Sequence, residues 1–376
     1  SEEGALLNMQ AELSGWDFEK TVADAKAAWN KELNKVQVST QDAVSKKIFY
    51  TSLYHTLFAP SEFCDVNGDY YGADKQMHHE KGFKNYTTFS LWDTYRAAQP
   101  LMTILQPERM SDIINTMLHI YQQQGKLPVW HLMGCETNCM VGNPGVPVVA
   151  DAILKDIKGF DSELAFKALK ESSMLPERGM EYRIQYGFIP ADKMTEAIAY
   201  DMEYAIADWA VAQAARRLGK QEDYTYFLER SKSYKNYFDA STGFMRGKLS
   251  DGSWRTPFSP YASAHRDDDY CEGNAWQYTW LVPQDVEGLV ACFGGKDAFV
   301  HKLDSLFLAE GELGEASSPD ISGLIGQYAH GNEPSHHITY LYTLVGQPWK
   351  TAERVKEILH TLSLIHISEP TRLQLI

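Results

Sequence analysis

The stretch MTEAIAYDMEYAIADWAVAQAARRLGK, residues 194 to 220, constrains the fold of this chain most strongly. It is rich in alanine and free of glycine and proline until Gly219, which predicts one long helix stopped there. QEDYTYFLERSKSYKNYF follows after a short break and predicts a second helix, hence a helical hairpin. The pairing recurs along the chain. In DFEKTVADAKAAWNKEL the apolar residues Phe18, Val22, Ala25, Trp29 and Leu33 fall on one helical face, and QDAVSKKIFYTSLYHTLF repeats the pattern with Val44, Ile48 and Leu57. SDIINTMLHIYQQQG predicts a helix capped by Ser111 and ended by Gly125, while HHITYLYTLVG and KTAERVKEILHTL predict a further pair. Strand signals are few and short, VQVST being one, and neither a βαβ rhythm nor a short fixed repeat is present. Successive hairpins predict a mainly α chain folded as an α/α toroid, with inner and outer helices alternating and a site on the loops at one end.

Composition narrows the function. Net charge is −15, from 35 basic and 50 acidic residues, and no Lys/Arg cluster offers the basic face that nucleic acid needs. Aromatic residues make up 12 %, with 21 Tyr and 9 Trp. Their ring faces stack on the C–H faces of sugars, so the composition leans towards carbohydrate, although aromatic rings are equally ordinary core. The five cysteines, at 64, 135, 139, 271 and 292, are odd in number and unpaired in spacing, which argues against a disulfide framework. No apolar run reaches membrane-spanning length, and no signal peptide opens the chain.

Four loops, at 86–96, 125–151, 265–280 and 320–337, concentrate Gly, Trp, Asn and acids. In YTTFSLWDTYRAAQPL, Trp92 is a candidate to stack on a sugar and Asp93 to accept its hydroxyls. A helix start with a buried Trp and an ion pair from Asp93 to Arg96 is the plainer reading of the same residues. In GKLPVWHLMGCETNCMVGNPGVPVVADA, Glu136, Thr137 and Asn138 offer three hydrogen-bonding side chains in succession. Cys135 and Cys139 lack zinc-knuckle spacing and read as buried thiols. In HRDDDYCEGNAWQYTW, the run Asp267 to Asp269 reads as a solvated face. Glu272 lies among Tyr270, Trp276, Tyr278 and Trp280; such surroundings desolvate a carboxyl, raise its pKa and suit it to general-acid work. A first-turn Glu complementing a helix dipole fits the spacing equally well. GQYAHGNEPSHH, residues 326–337, has the wrong spacing for tetrahedral zinc, since His336 and His337 are adjacent and His330 precedes a turn. Its oxygen donors Gln327, Asn332 and Glu333 suit calcium; a helix capped by Ser335, with surface histidines, is the alternative. DVNGDYYG, with Gly68 fourth rather than sixth, is a turn and not a calcium loop.

Taken together, FYTSLYHTLFAPSEFCDVNGDYYG, YTTFSLWDTYRAAQPL, LPVWHLMGCETNCMVGNPGVPVVADA, YCEGNAWQYTW and GQYAHGNEPSHHITYLYTLVGQPWKT resemble, in this order and spacing, the catalytic part of a glycoside hydrolase family 92 α-mannosidase. The resemblance covers residues 1 to 362. It implies an (α/α)6 toroid preceded by a β-sandwich domain. It implies calcium-dependent, exo-acting hydrolysis of terminal α-mannose from N-glycans or mannans, with inversion, by a protein exported to a bacterial periplasm or cell surface. By the same resemblance Glu272 is the general acid, Gln327, Asn332 and Glu333 hold Ca2+, and Trp92, Asp93, Glu136, Thr137 and Asn138 form the wall of the terminal-mannose pocket.

The chain then divides into a segment 1–40 that follows the sandwich domain, a catalytic domain 41–362 incomplete at its C-terminus, and a tail 363–376. That tail, SLIHISEPTRLQLI, has no family counterpart and resembles a sequencing-adapter read-through. The family's catalytic base, an Asp in a Gly-Gln-Met-Ser motif, has no match here. Because inverting hydrolysis needs two carboxyls, the expectation is a chain that holds the acid without the base and is inactive or nearly so. Gly323 and Leu324 stand where α-1,2-cleaving members carry His and Glu, which leaves the linkage open. A calcium-dependent mannose-binding protein without catalysis and a toroid glycosidase of another family are the competing expectations.

Overall fold

The computed structural model describes residues 1–13, 15–80 and 82–362; the tail expected at 363–376 lies outside them. Helices dominate, the strands are short antiparallel pairs, and the helical hairpins build the expected toroid. The helix Ala197–Arg217 stands at its centre. It begins where the Asp269 carbonyl accepts the backbone N–H groups of Ile198 at 3.1 Å and Ala199 at 3.3 Å, and Gly219 turns the chain beyond its end at φ +73°. Along it only Tyr200, Trp209, Gln213, Arg216 and Arg217 escape burial. Its alanines let neighbours approach on every side. Met202 and Ile206 enter one hydrophobic cluster, Ala210, Val211 and Ala214 a second, and Ala197 and Tyr204 a third. Helices Gln221–Arg230 and Gly145–Leu154 pack directly against it.

A helix enclosed in this way can carry charge only where each charge is met. Asp201 and Asp208 face Arg183, whose side chain is fully buried: Nε donates to Asp201 Oδ1 at 3.0 Å and Nη1 to Asp208 Oδ2 at 2.5 Å. Arg230 donates to the other oxygen of Asp208 at 2.5 Å, and Tyr237 Oη and the Ile189 N–H complete Asp201 at 2.9 and 2.8 Å. Two arginines and two aspartates therefore leave no net charge inside.

The small sheets fasten the loops together. Phe89–Ser90 pairs with Trp130–Leu132, which pairs with Cys135–Glu136, so the loop at 86–96 and the loop at 125–151 share one three-stranded sheet. The pair Leu324–Ile325 and Tyr328–Ala329 shapes the fourth loop.

Several expectations are corrected. VQVST forms no strand. The helix ended by Gly125 starts at Pro107, because a proline fits the first helical turn, and Ser111 lies inside it. The helix opening at Gln221 stops at Arg230 and continues only as a 3-10 turn at Ser233–Asn236. HHITYLYTLVG is likewise divided, into a 3-10 turn Ile338–Tyr340 and a short helix Leu341–Leu344. On the helix Phe18–Leu33 no residue is buried, and Phe18 is 76 % exposed, so periodicity located the helix while its apolar face stays largely open. Cys135 and Cys139 are exposed rather than buried, because the turn at Met133 and Gly134, both at positive φ, carries their loop outward.

Replacing Arg183 by Met leaves Asp201 buried without its cation. The expected cost is about 3–5 kcal/mol of unfolding free energy, as for other broken buried pairs, read by denaturant titration. A change under about 1 kcal/mol would show that the network carries little of the fold.

Candidate active site

The first site loop is built on a buried glutamate. Glu203, on the central helix, accepts from Trp92 Nε1 at 3.0 Å, from Tyr95 Oη at 2.7 Å, and from Arg96 Nη2. Arg96 thus pairs with Glu203, not with Asp93 three residues before it, and its guanidinium lies over the rings of Trp92 at 5.1 Å and Tyr95 at 4.7 Å. Trp92 is 1 % exposed: its indole N–H is taken by Glu203 and its face by Arg96. Asp93 accepts from Ser90 Oγ, and burial raises its pKa.

Glu272 occupies the third loop with φ +49°, a left-handed conformation that costs a non-glycine residue on the order of 1–2 kcal/mol. Asn332 holds it from the fourth loop, Nδ2 donating to the Glu272 carbonyl at 2.8 Å and to Oε2 at 3.2 Å. Burial pushes the Glu272 carboxyl up to about 7, and the nearby charges of Asp320, Glu333 and Asp93 push in the same direction. Glu333 is raised to about 6, by burial and then by Asp93 and Asp320. Asp93, Glu272 and Glu333 are thus each raised by burial and by neighbouring acids, Asp320 among them, while Arg96 acts in the opposite direction on Asp93 and Glu333. Strain gathers here as well, with Thr88, Met133 and Asn138 also at positive φ in the first two loops.

The glycosyl hydrolase family 92 catalytic domain matches this chain over residues 4–363. The chain belongs to glycosyl hydrolase family 92. Among solved structures it is similar to a family GH92 α-mannosidase from Bacteroides thetaiotaomicron in complex with mannoimidazole, with 42 % identity and a TM-score of 0.91, covering 96 % of this chain and 48 % of that one. A family GH92 inverting mannosidase from Bacteroides thetaiotaomicron VPI-5482 is 32 % identical with a TM-score of 0.87, covering 96 % of this chain and 51 % of that one. An uncharacterized secreted glycosidase of Arthroderma benhamiae is 24 % identical, covering 94 % of this chain and 44 % of its own length. The chain thus spans about half the length of these relatives.

Within this family 92 domain the remaining candidates are placed as follows. The Glu136 carboxylate accepts the backbone N–H groups of Val129 at 2.8 Å, Trp130 at 2.9 Å and Asn138 at 2.9 Å. It thereby folds its own loop. Thr137 Oγ1 donates to the Trp130 carbonyl at 2.8 Å, and Asn138 accepts from Lys126 Nζ at 3.0 Å. Gln327 is buried, its Oε1 accepting from Asn274 Nδ2 at 3.1 Å and its carbonyl from Gln277 Nε2 at 2.6 Å. Asn332, not Ser335, caps the turn that contains Glu333, its Oδ1 accepting the Glu333 N–H at 3.1 Å. His336 and His337 are half-buried: their Nε2 atoms meet the carbonyls of His330 at 3.0 Å and Trp280 at 2.6 Å. Asp268 and Asp269 are not a solvated face either. Asp268 accepts the N–H groups of Ala264 at 2.6 Å and Tyr270 at 2.8 Å, and the buried Asp269 meets Arg255 at 3.1 Å.

Sequence reasoning missed Asp320 and Glu203. A Glu on an otherwise apolar, alanine-rich helix is the signal that could have found Glu203, since such a helix is enclosed and its acids must be answered. Asp320 stands alone in sequence and carries no comparable mark.

Burial holds the His337 imidazole down to about 4, against 6.5 in an unfolded chain. The folded state thus binds fewer protons, and stability falls as pH drops from about 6.5 towards about 4. The stability advantage of the parent over His337→Gln should therefore shrink between about pH 7 and about pH 4.5 in thermal melts; an advantage constant across that range would contradict the assignment.

Proposed function

We propose that the protein carrying this domain is an exo-acting α-mannosidase that removes terminal α-mannose from N-glycans or mannans with inversion, and that Glu272 is its general acid. The observation that carries this reading is the placement of Glu272 in a strained loop, held by Asn332 and half-desolvated, in a family 92 domain whose solved relatives are named mannosidases. A carboxyl raised to about 7 keeps a proton at neutral pH, as a general acid requires. Asn332 occupies Oε2, which leaves Oε1 to hand that proton to the glycosidic oxygen as the bond to the leaving sugar breaks. Asp93 offers acceptors to sugar hydroxyls, on the loop whose Trp92 and Arg96 are held by Glu203. Export to a bacterial periplasm or surface is part of the proposal; it is supported by the secreted relative, and among the described residues no helix is long and apolar enough to cross a membrane.

Calcium is proposed on donor chemistry. Gln327, Asn332 and Glu333 carry hard oxygens, of which Gln327 Oε1, the Gln327 carbonyl and Asn332 Oδ1 also accept hydrogen bonds within the protein. Among the described residues no three His, Cys, Asp or Glu side chains suffice to hold a metal, so amide, carbonyl and sugar oxygens would complete the shell. When bound, the ion would offset the carboxylates' repulsion and anchor vicinal hydroxyls.

In the intact protein, Glu272→Gln should lower kcat on alkyl α-mannosides by roughly 10²–10⁴ while leaving calorimetric binding of mannose in place. A variant within roughly a factor of three of the parent would refute the assignment. Chelation should abolish activity and added calcium restore it; activity indifferent to chelator would remove calcium from the account.

A further inference from the structure

Glu272 carries its carboxyl on a backbone that prefers to be elsewhere, so something must hold it there. Asn332 grips the carbonyl that follows Cα. The peptide that precedes it, Cys271 to Glu272, has a separate anchor. Tyr278, fully buried at the end of the short helix Ala275–Tyr278, reaches back seven residues and donates its hydroxyl to the Cys271 carbonyl at 2.6 Å. Its ring also closes on Gly273, where a Cβ would come within 2.7 Å of Cε2. Rotation of the Cys271–Glu272 peptide about the N–Cα bond is the motion that carries residue 272 out of the left-handed region. A hydrogen bond on that peptide's oxygen opposes this motion directly.

The helix that bears Tyr278 is itself fixed. Asn274 caps it, its Oδ1 accepting the Trp276 N–H at 2.9 Å, and Gln277 returns a bond from the Asn274 N–H at 2.7 Å. Asn274 and Gln277 both bind Gln327 in the fourth loop. Burial holds the Tyr278 phenol well above its ordinary pKa, so the hydroxyl keeps its proton and remains a donor.

We infer that Tyr278 is a positioning residue, whose hydroxyl holds the backbone of Glu272 in the geometry that aims its carboxyl at the glycosidic oxygen. This rests on the reading of Glu272 as the general acid. The hydroxyl contributes no proton to the reaction and touches no substrate; it acts on the orientation of Glu272 alone.

A defect confined to the acid has a signature that a general loss of structure lacks. An aryl mannoside with a very acidic phenol leaves without protonation, whereas an alkyl or sugar leaving group needs the acid. Tyr278→Phe, in the intact protein with calcium supplied, should lose roughly ten- to a hundredfold in kcat on methyl α-mannoside, with KM little changed. On 2,4-dinitrophenyl α-mannoside it should stay within roughly threefold of the parent. Tyr204→Phe, which removes a comparable 2.8 Å bond from a buried phenol to the Arg178 carbonyl, is the control and should fall equally little on both substrates. Glu272→Gln separates the two ideas. If it loses rate on the alkyl substrate alone while Tyr278→Phe matches the parent on both, the positioning role is wrong and the acid stands. If Glu272→Gln matches the parent on methyl α-mannoside, the acid assignment falls first. Equal losses by Tyr278→Phe on both substrates would mark a structural role only and overturn the inference.

Discussion

The constraint on which the rest of this structure depends is the enclosure of the helix Ala197–Arg217. A helix covered on every side pulls three hydrophobic clusters together, but its acids then have no water to turn to. Each is answered by an arginine from a different part of the chain: Asp201 and Asp208 by Arg183, and Glu203 by Arg96. The first pair fixes the helix to the elements around it. The second fixes the first site loop, because the glutamate that holds Arg96 also holds Trp92 and Tyr95. The packing of the toroid and the geometry of its pocket are set by the same buried helix.

From that anchor the site follows. Arg96 brings one buried positive charge to a region where Asp93, Glu272, Asp320 and Glu333 act on one another. Arg96 already answers Glu203, so its charge cannot also balance these carboxylates, and burial with their mutual repulsion raises Asp93, Glu272 and Glu333. In the proposed reading, a proton on Glu272 would be given away and an ion beside Glu333 would hold a sugar. The strained backbone at Glu272, gripped by Asn332 on one side and Tyr278 on the other, belongs to the same design: a reactive carboxyl fixed by rigid neighbours rather than by its own preference.

Much of the architecture was legible in the sequence because alanine-rich periodicity and glycine stops are local signals. Gly219 and Gly125 end helices as their positions imply. Boundaries were less legible where a proline enters the first turn, as at Pro107, and apolar periodicity at Phe18 overstated burial because it reports a face and not what covers it. The loops of the site were legible as clusters of glycine, tryptophan and acid, whereas the partners within them were not. Arg96 is three residues from Asp93 yet pairs with Glu203, more than a hundred residues away in sequence. Asp268 and Asp269 look solvated in a run of acids, yet their loop lies against the start of the central helix, where the Asp269 carbonyl serves as a cap. Such pairings are decided by topology, which a local reading does not contain.

The central claim is that this domain presents a protonated Glu272 to a terminal α-mannoside. The most direct test is to follow, by proton NMR, hydrolysis of an unactivated α-mannobiose by the intact protein and by its Glu272→Gln variant. The expected result is β-mannose as the first anomer from the parent and release slower by roughly 10²–10⁴ from the variant. Release of α-mannose first, or equal release by the variant, would contradict it.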